Sequence, residues 1–175
     1  MKFGRESGIL LHPTSLPSKF GIGELGSEAY GFADFLARSR QKLWQILPLG
    51  PIGYGESPYQ CFSAFAGNTM LISIERLIED KLLLQEDIGP LPDFDEGLVE
   101  FEKVRAFKSN LFRKAFKRFE AAGAGEDYDR FLRENDYWLN EFSFFMALKE
   151  YFGGAAWNLW DKEIAFRDSK AMIYY

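Results

Sequence analysis

The sequence has almost none of the two residues that most often bind transition metals. Cys61 is the only cysteine and His12 the only histidine among 175 residues. A single cysteine excludes an intramolecular disulfide and fits a reducing compartment. The scarcity of both residues also excludes zinc sites built from cysteine and histidine, and it makes any serine–histidine triad depend on His12 alone.

The sequence also lacks a long run of basic residues, and it has no long apolar run near its N-terminus. The chain has 21 basic and 26 acidic residues, a net charge of −5, and no long run of lysine and arginine. Binding to nucleic acid through released counterions is therefore not expected. Near the N-terminus the apolar stretch is limited to residues 8–11, which is too short for a signal-peptide core or a membrane span. We therefore predict a cytoplasmic protein with neither nucleic acid nor membrane as a partner.

Aromatic residues, in contrast, are abundant. The chain contains 18 Phe, 8 Tyr and 4 Trp, and 47% of its residues are hydrophobic. A chain of this length and composition can bury a core, either as one domain or as part of a larger one. We expect most of the phenylalanines in that core, whereas tyrosines on glycine-rich loops are candidates for stacking against a ligand.

The segment 8–50 has the pattern of a strand, a helix and a second strand. Residues 9–11 form a short apolar run that is typical of a strand buried on both faces, and residues 43–49 form another. Ser27 can cap a helix between them. The apolar stripe of this helix consists of Ala29, Phe32, Ala33 and Leu36. This order predicts a βαβ unit with parallel strands, and therefore an α/β fold.

The rest of the chain is predicted to be mainly helical. Residues 70–74 can form one more short strand, and residues 100–152 carry apolar residues at helical spacing. Asp168 or Ser169 can cap a final helix. The chain stops on apolar residues 173–175 within this helical pattern, so we expect it to be part of a larger fold.

Two loops compete for a function. Residues 21–26, GIGELG, match the G-x-G-x-x-G pattern of dinucleotide-binding proteins, and a helix is predicted to follow. That pattern requires a strand directly before the first glycine, but Pro13 and Pro17 separate the motif from the first strand. The context therefore favours a turn that leads into the helix, with a nucleotide-binding enzyme as the alternative.

The other loop is residues 50–60, GPIGYGESPYQ. Its glycines permit unusual backbone conformations and its prolines stiffen the path, so the rings of Tyr54 and Tyr59 can be held in place. A sugar presents an apolar face of C–H groups and an edge of hydroxyls, which a tyrosine ring beside Ser57 and Glu56 complements. A turn whose tyrosines pack inward fits the same residues, and the sequence leaves both possibilities open.

Three segments of the chain resemble one enzyme family. They are LLHPTSLPSKFGIGELG at residues 10–26, WQILPLGPIGYGESPYQCFSAFAGN at residues 44–68, and MALKEYFGGAAWNLW at residues 146–160. In order and spacing they resemble the N-terminal part of the amylomaltases, the 4-alpha-glucanotransferases also called disproportionating enzymes. One departure is Ala156, where the family pattern has proline before the tryptophan.

The resemblance implies a (β/α)₈ barrel enzyme with insertions, which transfers α-1,4-glucan segments to acceptor sugars. The implied partners are α-1,4-glucans, maltooligosaccharides and glucose as an acceptor, and no metal or organic cofactor is implied. The implied mechanism is a retaining one that uses two carboxyl groups. Within this family we expect Tyr59 to stack on a glucose ring near the scissile bond, Ser57 to add a hydroxyl contact, and Tyr54 to serve a more peripheral glucan site.

The family's catalytic carboxylates lie on later strands, so no residue of this sequence is assigned to catalysis. A barrel needs about 250 residues, and the chain therefore predicts an incomplete one. We expect residues 1–74 to be the barrel portion with the substrate loop and residues 75–175 to be a mainly helical insertion. A non-catalytic glucan-binding fragment is the alternative function. Glu56 is expected to be a hydrogen-bonding loop residue, and His12 either to order the loop that follows it or to face the active site.

Overall fold

The computed structural model describes residues 4–175, and of Tyr54 it describes the backbone alone. The chain divides into two compact units, the first ending at Ala124 and the second running from Gly125 to Tyr175. Each unit has its own buried cluster of apolar side chains. The sequence predicts a boundary after residue 74, between a barrel portion and an insertion. That boundary differs from the division into compact units, and it stays a prediction.

The first unit begins with a βαβ arrangement. Strand β1, Gly8–Leu10, pairs in parallel with strand β2, Leu43–Gln45, and helix α1, Ser27–Arg38, connects them. The register places Ile9 beside Trp44. The prediction of two parallel strands joined by a helix is confirmed.

Both strands are more exposed than their apolar sequences predict. Ile9 is 39% and Leu10 58% exposed, and within residues 4–175 the two strands form a two-stranded sheet. Burial of a strand on both faces requires packed layers on each side of it. Helix α1 contributes Phe32, which packs edge-on against Trp44 with the ring centroids 4.9 Å apart. The prediction of a strand buried on both faces is therefore wrong for this chain.

The start of α1 also differs from the prediction. Ser27 is the first helical residue, and Gly26, which has no side chain to form a capping bond, occupies the N-cap position. The Ser27 hydroxyl instead donates to Glu75 Oε2 at 3.0 Å, and Lys19 Nζ lies 2.8 Å from Glu75 Oε1. The hydroxyl that was expected to cap the helix therefore links it to a distant segment of the chain.

Residues 69–74 form a 3₁₀ turn and the start of a helix, where the sequence predicts a short strand at residues 70–74. A 3₁₀ turn covers Thr69–Leu71, and helix α2 covers Ile74–Glu79. The side chains of Asn68 and Ser73 each accept a hydrogen bond from a backbone N–H two or three residues later. Local bonds from side chains to the backbone compete with strand pairing, and for this reason the strand prediction is wrong.

Helices dominate the remainder of the first unit. After the short helix α3, Gln85–Ile88, helix α4 spans Phe101–Ala122. The predicted apolar stripe of α4 is buried at Val104, Leu111 and Ala115. The larger core cluster of this unit consists of Phe20, Ile74, Leu83, Ile88, Leu111 and Ala115. The helical prediction for this part of the chain is confirmed.

The second unit is helical as well. It contains α5, Glu126–Tyr151, α6, Lys162–Ala165, and α7, Ser169–Tyr174. Its buried cluster is formed by Leu148, Trp160 and Ile164. Asp168 caps α7 by accepting hydrogen bonds from two backbone N–H groups of the first turn, as the sequence predicts. None of the helices among residues 4–175 has the length and the apolar character that crossing a membrane requires.

Candidate functional site

Residues 50–61 form a loop that closes on itself, which we call the tyrosine loop. Ile52 and Cys61 form an isolated antiparallel bridge across its base. Nearer the tip, Gly53 lies close to the returning chain, where a Cβ atom would be 2.6 Å from Gln60 O. Only glycine permits so close an approach of two backbone segments. The loop is therefore built by its glycines into a narrow, defined shape.

The tyrosine loop presents Tyr59 to solvent. Its side chain is 73% exposed, and its backbone N–H donates to Ser57 Oγ at 3.3 Å. Ser57 thus stabilises the turn that presents Tyr59, while its hydroxyl hydrogen stays available for another acceptor. Tyr54 begins a 3₁₀ turn, and its side chain lies outside the described part of the chain. In this structure Tyr59 does not pack inward, and glucan binding by the three residues stays a prediction.

A charged contact connects the tyrosine loop to helix α4. Arg105 Nη2 lies 2.7 Å from Glu56 Oε1 and 2.9 Å from Glu56 Oε2. The prediction that Glu56 is a hydrogen-bonding residue of the loop is confirmed. Sequence reasoning missed Arg105, because 49 residues separate it from Glu56 and no local pattern signals a pair at that distance.

His12 lies two residues after Leu10, the last residue of β1. It precedes the 3₁₀ turn Pro13–Ser15, and its Nδ1 atom is buried without a hydrogen-bond partner among residues 4–175. Burial lowers the pKa of His12 below its ordinary value, because the charged imidazolium loses hydration. The neutral ring is therefore favoured at neutral pH. Its two predicted roles, ordering the next loop or facing an active site, both stay predictions.

The GIGELG loop is packed tightly against the protein. A Cβ atom at Gly23 would lie 2.0 Å from Pro13 O, so this glycine allows two backbone segments to touch. Glu24 is buried; its Oε1 lies 2.6 Å from Lys108 Nζ, and its Oε2 accepts from Ile74 N–H at 3.1 Å. Burial raises the pKa of Glu24 and lowers the pKa of Lys108, because both charges leave water, and their mutual attraction opposes both shifts.

The cleft beside the GIGELG loop does not suit a dinucleotide. It has a volume of about 590 Å³, and its charged lining consists of Lys19, Glu24, Glu28, Glu75 and Glu96. The excess of carboxylates would repel phosphate groups. Strand β1 also ends at Leu10, well before the motif, whereas a dinucleotide fingerprint follows its strand directly. The geometry favours a packing role for these glycines over the nucleotide-binding alternative.

The side chains of residues 4–175 form no candidate metal site. Among residues 4–175, no group of three or more histidine, cysteine, aspartate or glutamate side chains is placed to hold a metal ion. Three polar features of the first unit are the exposed tyrosine loop, the buried Glu24–Lys108 pair and the acidic cleft.

Comparison with known proteins gives one consistent family. A sequence model of the 4-alpha-glucanotransferase family matches residues 11–175. The 4-alpha-glucanotransferase of Synechocystis sp. is 46% identical over 171 residues, and that of Thermus thermophilus is 43% identical over 175 residues. The alignments cover 96% and 98% of this chain but 34% of each relative. The chain thus spans about a third of the length of the curated relatives it matches.

A solved structure shows the same similarity in three dimensions. The amylomaltase from Streptococcus agalactiae in complex with acarbose superposes with a TM-score of 0.89 at 40% sequence identity. The match covers 98% of this chain and 35% of that one. The likeness therefore extends over both compact units and holds for sequence and fold alike.

Proposed function

Since this chain belongs to the 4-alpha-glucanotransferase family, we propose that it forms the N-terminal portion of an enzyme that moves α-1,4-glucan segments onto acceptor sugars. The observation that carries the proposal is the family match over residues 11–175, together with 46% identity to a curated enzyme of that name. The substrates are α-1,4-glucans and maltooligosaccharides, with glucose as an acceptor. The similar amylomaltase was solved with acarbose, which makes acarbose a suitable probe of this enzyme as well.

We propose that β1, α1 and β2 are the first βαβ unit of a (β/α)₈ barrel. Their parallel pairing and connecting helix support this assignment, and a complete barrel needs about 250 residues. The exposed apolar side chains of Ile9 and Leu10 would be covered by further strands and helices. Residues 75–175 would then be the helical insertion. With one cysteine, the chain suits the reducing cytoplasm, which is the location we propose.

The chemistry we propose for the complete enzyme is retaining double displacement. A carboxylate attacks the anomeric carbon and forms a glycosyl–enzyme bond, while a carboxylic acid protonates the leaving glycosidic oxygen. The group that gave up this proton, now a carboxylate, then takes the proton of the acceptor hydroxyl. At the same time the acceptor oxygen attacks the anomeric carbon and displaces the carboxylate of the enzyme. We assign neither group to this chain. Its contribution is to bind the glucan.

The tyrosine loop is the part of the chain that we assign to binding. An aromatic face packs well against the C–H face of a pyranose, and Tyr59 has such a face at 73% exposure on a loop closed by the Ile52–Cys61 bridge. We propose that Tyr59 stacks on a glucose ring near the scissile bond and that the Ser57 hydroxyl donates to the sugar. Tyr54 would serve a more peripheral glucan ring.

The test of this assignment compares two substitutions of Tyr59 in the complete enzyme. Tyr59→Ala removes the ring and should weaken transition-state binding by about 1–3 kcal/mol, which lowers kcat/KM on maltotriose by roughly 5- to 150-fold. Tyr59→Phe keeps the ring and serves as the matched control, so it should retain most of the activity. Unchanged kinetics of Tyr59→Ala with a lowered melting temperature would show that Tyr59 has only a packing role.

A further inference from the structure

We propose that Arg105 of helix α4 is a positioning residue for glucan binding, because it holds the tyrosine loop in place through Glu56. The inference rests on the proposed role of the loop in binding glucan. It gives helix α4 a function beyond packing in the core, because the helix would also support the tyrosine loop. It also adds a role for Glu56, which the family assignment leaves unexplained.

The contact itself is short and symmetrical. One guanidinium nitrogen of Arg105 lies 2.7 Å from Glu56 Oε1 and 2.9 Å from Glu56 Oε2. The Glu56 side chain is 27% exposed, so its carboxylate is partly shielded from water by its surroundings. A charge-assisted bond of this length is stronger than a neutral one, and here it spans 49 residues of sequence.

The backbone of the loop needs such a contact at this position. Gly55 has a φ of 67° and Glu56 a φ of 56°, so two successive residues adopt the left-handed conformation. For glutamate this conformation is energetically unfavourable relative to the right-handed region. The bond from Arg105 offsets that cost. Glu56 immediately precedes Ser57, whose hydroxyl accepts the Tyr59 N–H, so the held residue lies at the start of the turn that presents Tyr59.

Helix α4 is a firm support for this bond. Val104, the residue before Arg105, is fully buried in an apolar cluster. Lys108, one turn later, is also fully buried, and its Nζ binds Glu24 and two backbone carbonyls. The backbone on either side of Arg105 is thus fixed to the body of the first unit. The arginine transmits that fixed position to the tyrosine loop.

Loss of the bond should change binding more than turnover. A loop that samples several conformations presents Tyr59 correctly for only part of the time, and the apparent affinity falls by that fraction. Exposed ion pairs have modest strengths, so the expected rise in KM is about two- to fivefold. The maximal rate should be nearly unchanged, because saturating substrate selects the ordered loop and the reacting carboxyl groups lie elsewhere.

The kinetic test is a double-mutant cycle in the complete enzyme, with maltotriose as the substrate. Arg105→Met and Glu56→Gln should each raise KM by about two- to fivefold with kcat preserved, and the double variant should be no worse than either. Arg105→Lys keeps a charge on a shorter side chain with a different head group, so it should lie between Arg105→Met and the parent enzyme. Lys117→Met alters an exposed residue of the same helix and is the matched control. Additive effects, or an Arg105→Met variant that behaves like Lys117→Met, would overturn the inference.

A second measurement separates this inference from the proposed function. Hydrogen exchange of the backbone amides at residues 53–60 reports on the order of the loop without reference to activity. We expect faster exchange in Arg105→Met and no change in Lys117→Met. Unchanged exchange in Arg105→Met overturns the inference. Faster exchange with unchanged KM, together with an inert Tyr59→Ala, shows instead that Arg105 holds the loop but that the loop does not bind glucan.

Discussion

Lys108 offers the sharpest test of how the first unit is held together. Its side chain is 0% exposed, and its Nζ donates to Glu24 Oε1 at 2.6 Å, Met70 O at 2.7 Å and Ile72 O at 2.8 Å. All three hydrogens of the ammonium group therefore have an acceptor. This single side chain joins helix α4 to the GIGELG loop and to the turn before α2.

The substitution Lys108→Met keeps much of the side-chain volume but removes the charge and all three donors. Glu24 then remains buried without its counter-charge, with the Ile74 N–H and the Ser73 hydroxyl as its partners, and two carbonyls lose a hydrogen bond. Breaking a buried ion pair from one side typically costs about 3–5 kcal/mol. For a chain of this size each kcal/mol lowers the melting temperature by about 2–4 °C, so the expected fall is on the order of 6–20 °C.

The assay is urea unfolding of the protein together with a thermal melt. Lys117→Met is the matched control, because it removes an exposed lysine from the same helix, and it should change stability by less than about 0.5 kcal/mol. Adding Glu24→Gln to Lys108→Met should recover part of the loss, since it removes the stranded carboxylate. The reasoning would be refuted if Lys108→Met lowered the free energy of unfolding by less than about 1 kcal/mol and by no more than the control does.

Two further predictions concern acid stability and the chain alone. The hydrogen bond from Arg118 to Asp87, at 2.6 Å, and the bond from Leu84 N–H lower the pKa of Asp87. Its contribution to stability is therefore complete above the ordinary carboxyl pKa and is lost as pH falls through the lower folded value. Asp87→Asn should flatten the fall of the urea midpoint below about pH 4, and an unaltered pH profile would contradict this. The chain by itself should leave maltotriose unchanged in a chromatographic assay, because no catalytic carboxylate is assigned to it; longer maltooligosaccharides formed by the pure chain would contradict that assignment.

The sequence predicts the regular elements well where periodicity is strong. The apolar runs at residues 9–11 and 43–49, with the striped helix between them, predict the parallel βαβ unit that the structure contains. The strand predicted at residues 70–74 is wrong because local bonds from Asn68 and Ser73 to the backbone favour a 3₁₀ turn and the start of α2. The capping role predicted for Ser27 is wrong because its hydroxyl bonds to the distant Glu75.

The site is only partly predictable from sequence, for a physical reason. The composition of the tyrosine loop makes Tyr59 a candidate for an exposed ring, because glycine and proline act on the chain locally, but it leaves inward packing open, and the structure shows the ring exposed. The residues that hold the loop and the core are distant partners. Glu56 and Arg105 are separated by 49 residues, and Glu24 and Lys108 by 84. In one sequence each of them resembles an ordinary surface charge, and tertiary packing alone brings them together.

The central claim is that this chain is part of an enzyme that transfers glucan segments between sugars. The most direct measurement is the product distribution from maltotriose incubated with the complete enzyme that contains this chain. The account predicts glucose together with maltooligosaccharides longer than maltotriose, since each transfer lengthens one acceptor and shortens one donor. Formation of shorter sugars alone, with water consumed in place of an acceptor, or the absence of any product, would contradict it.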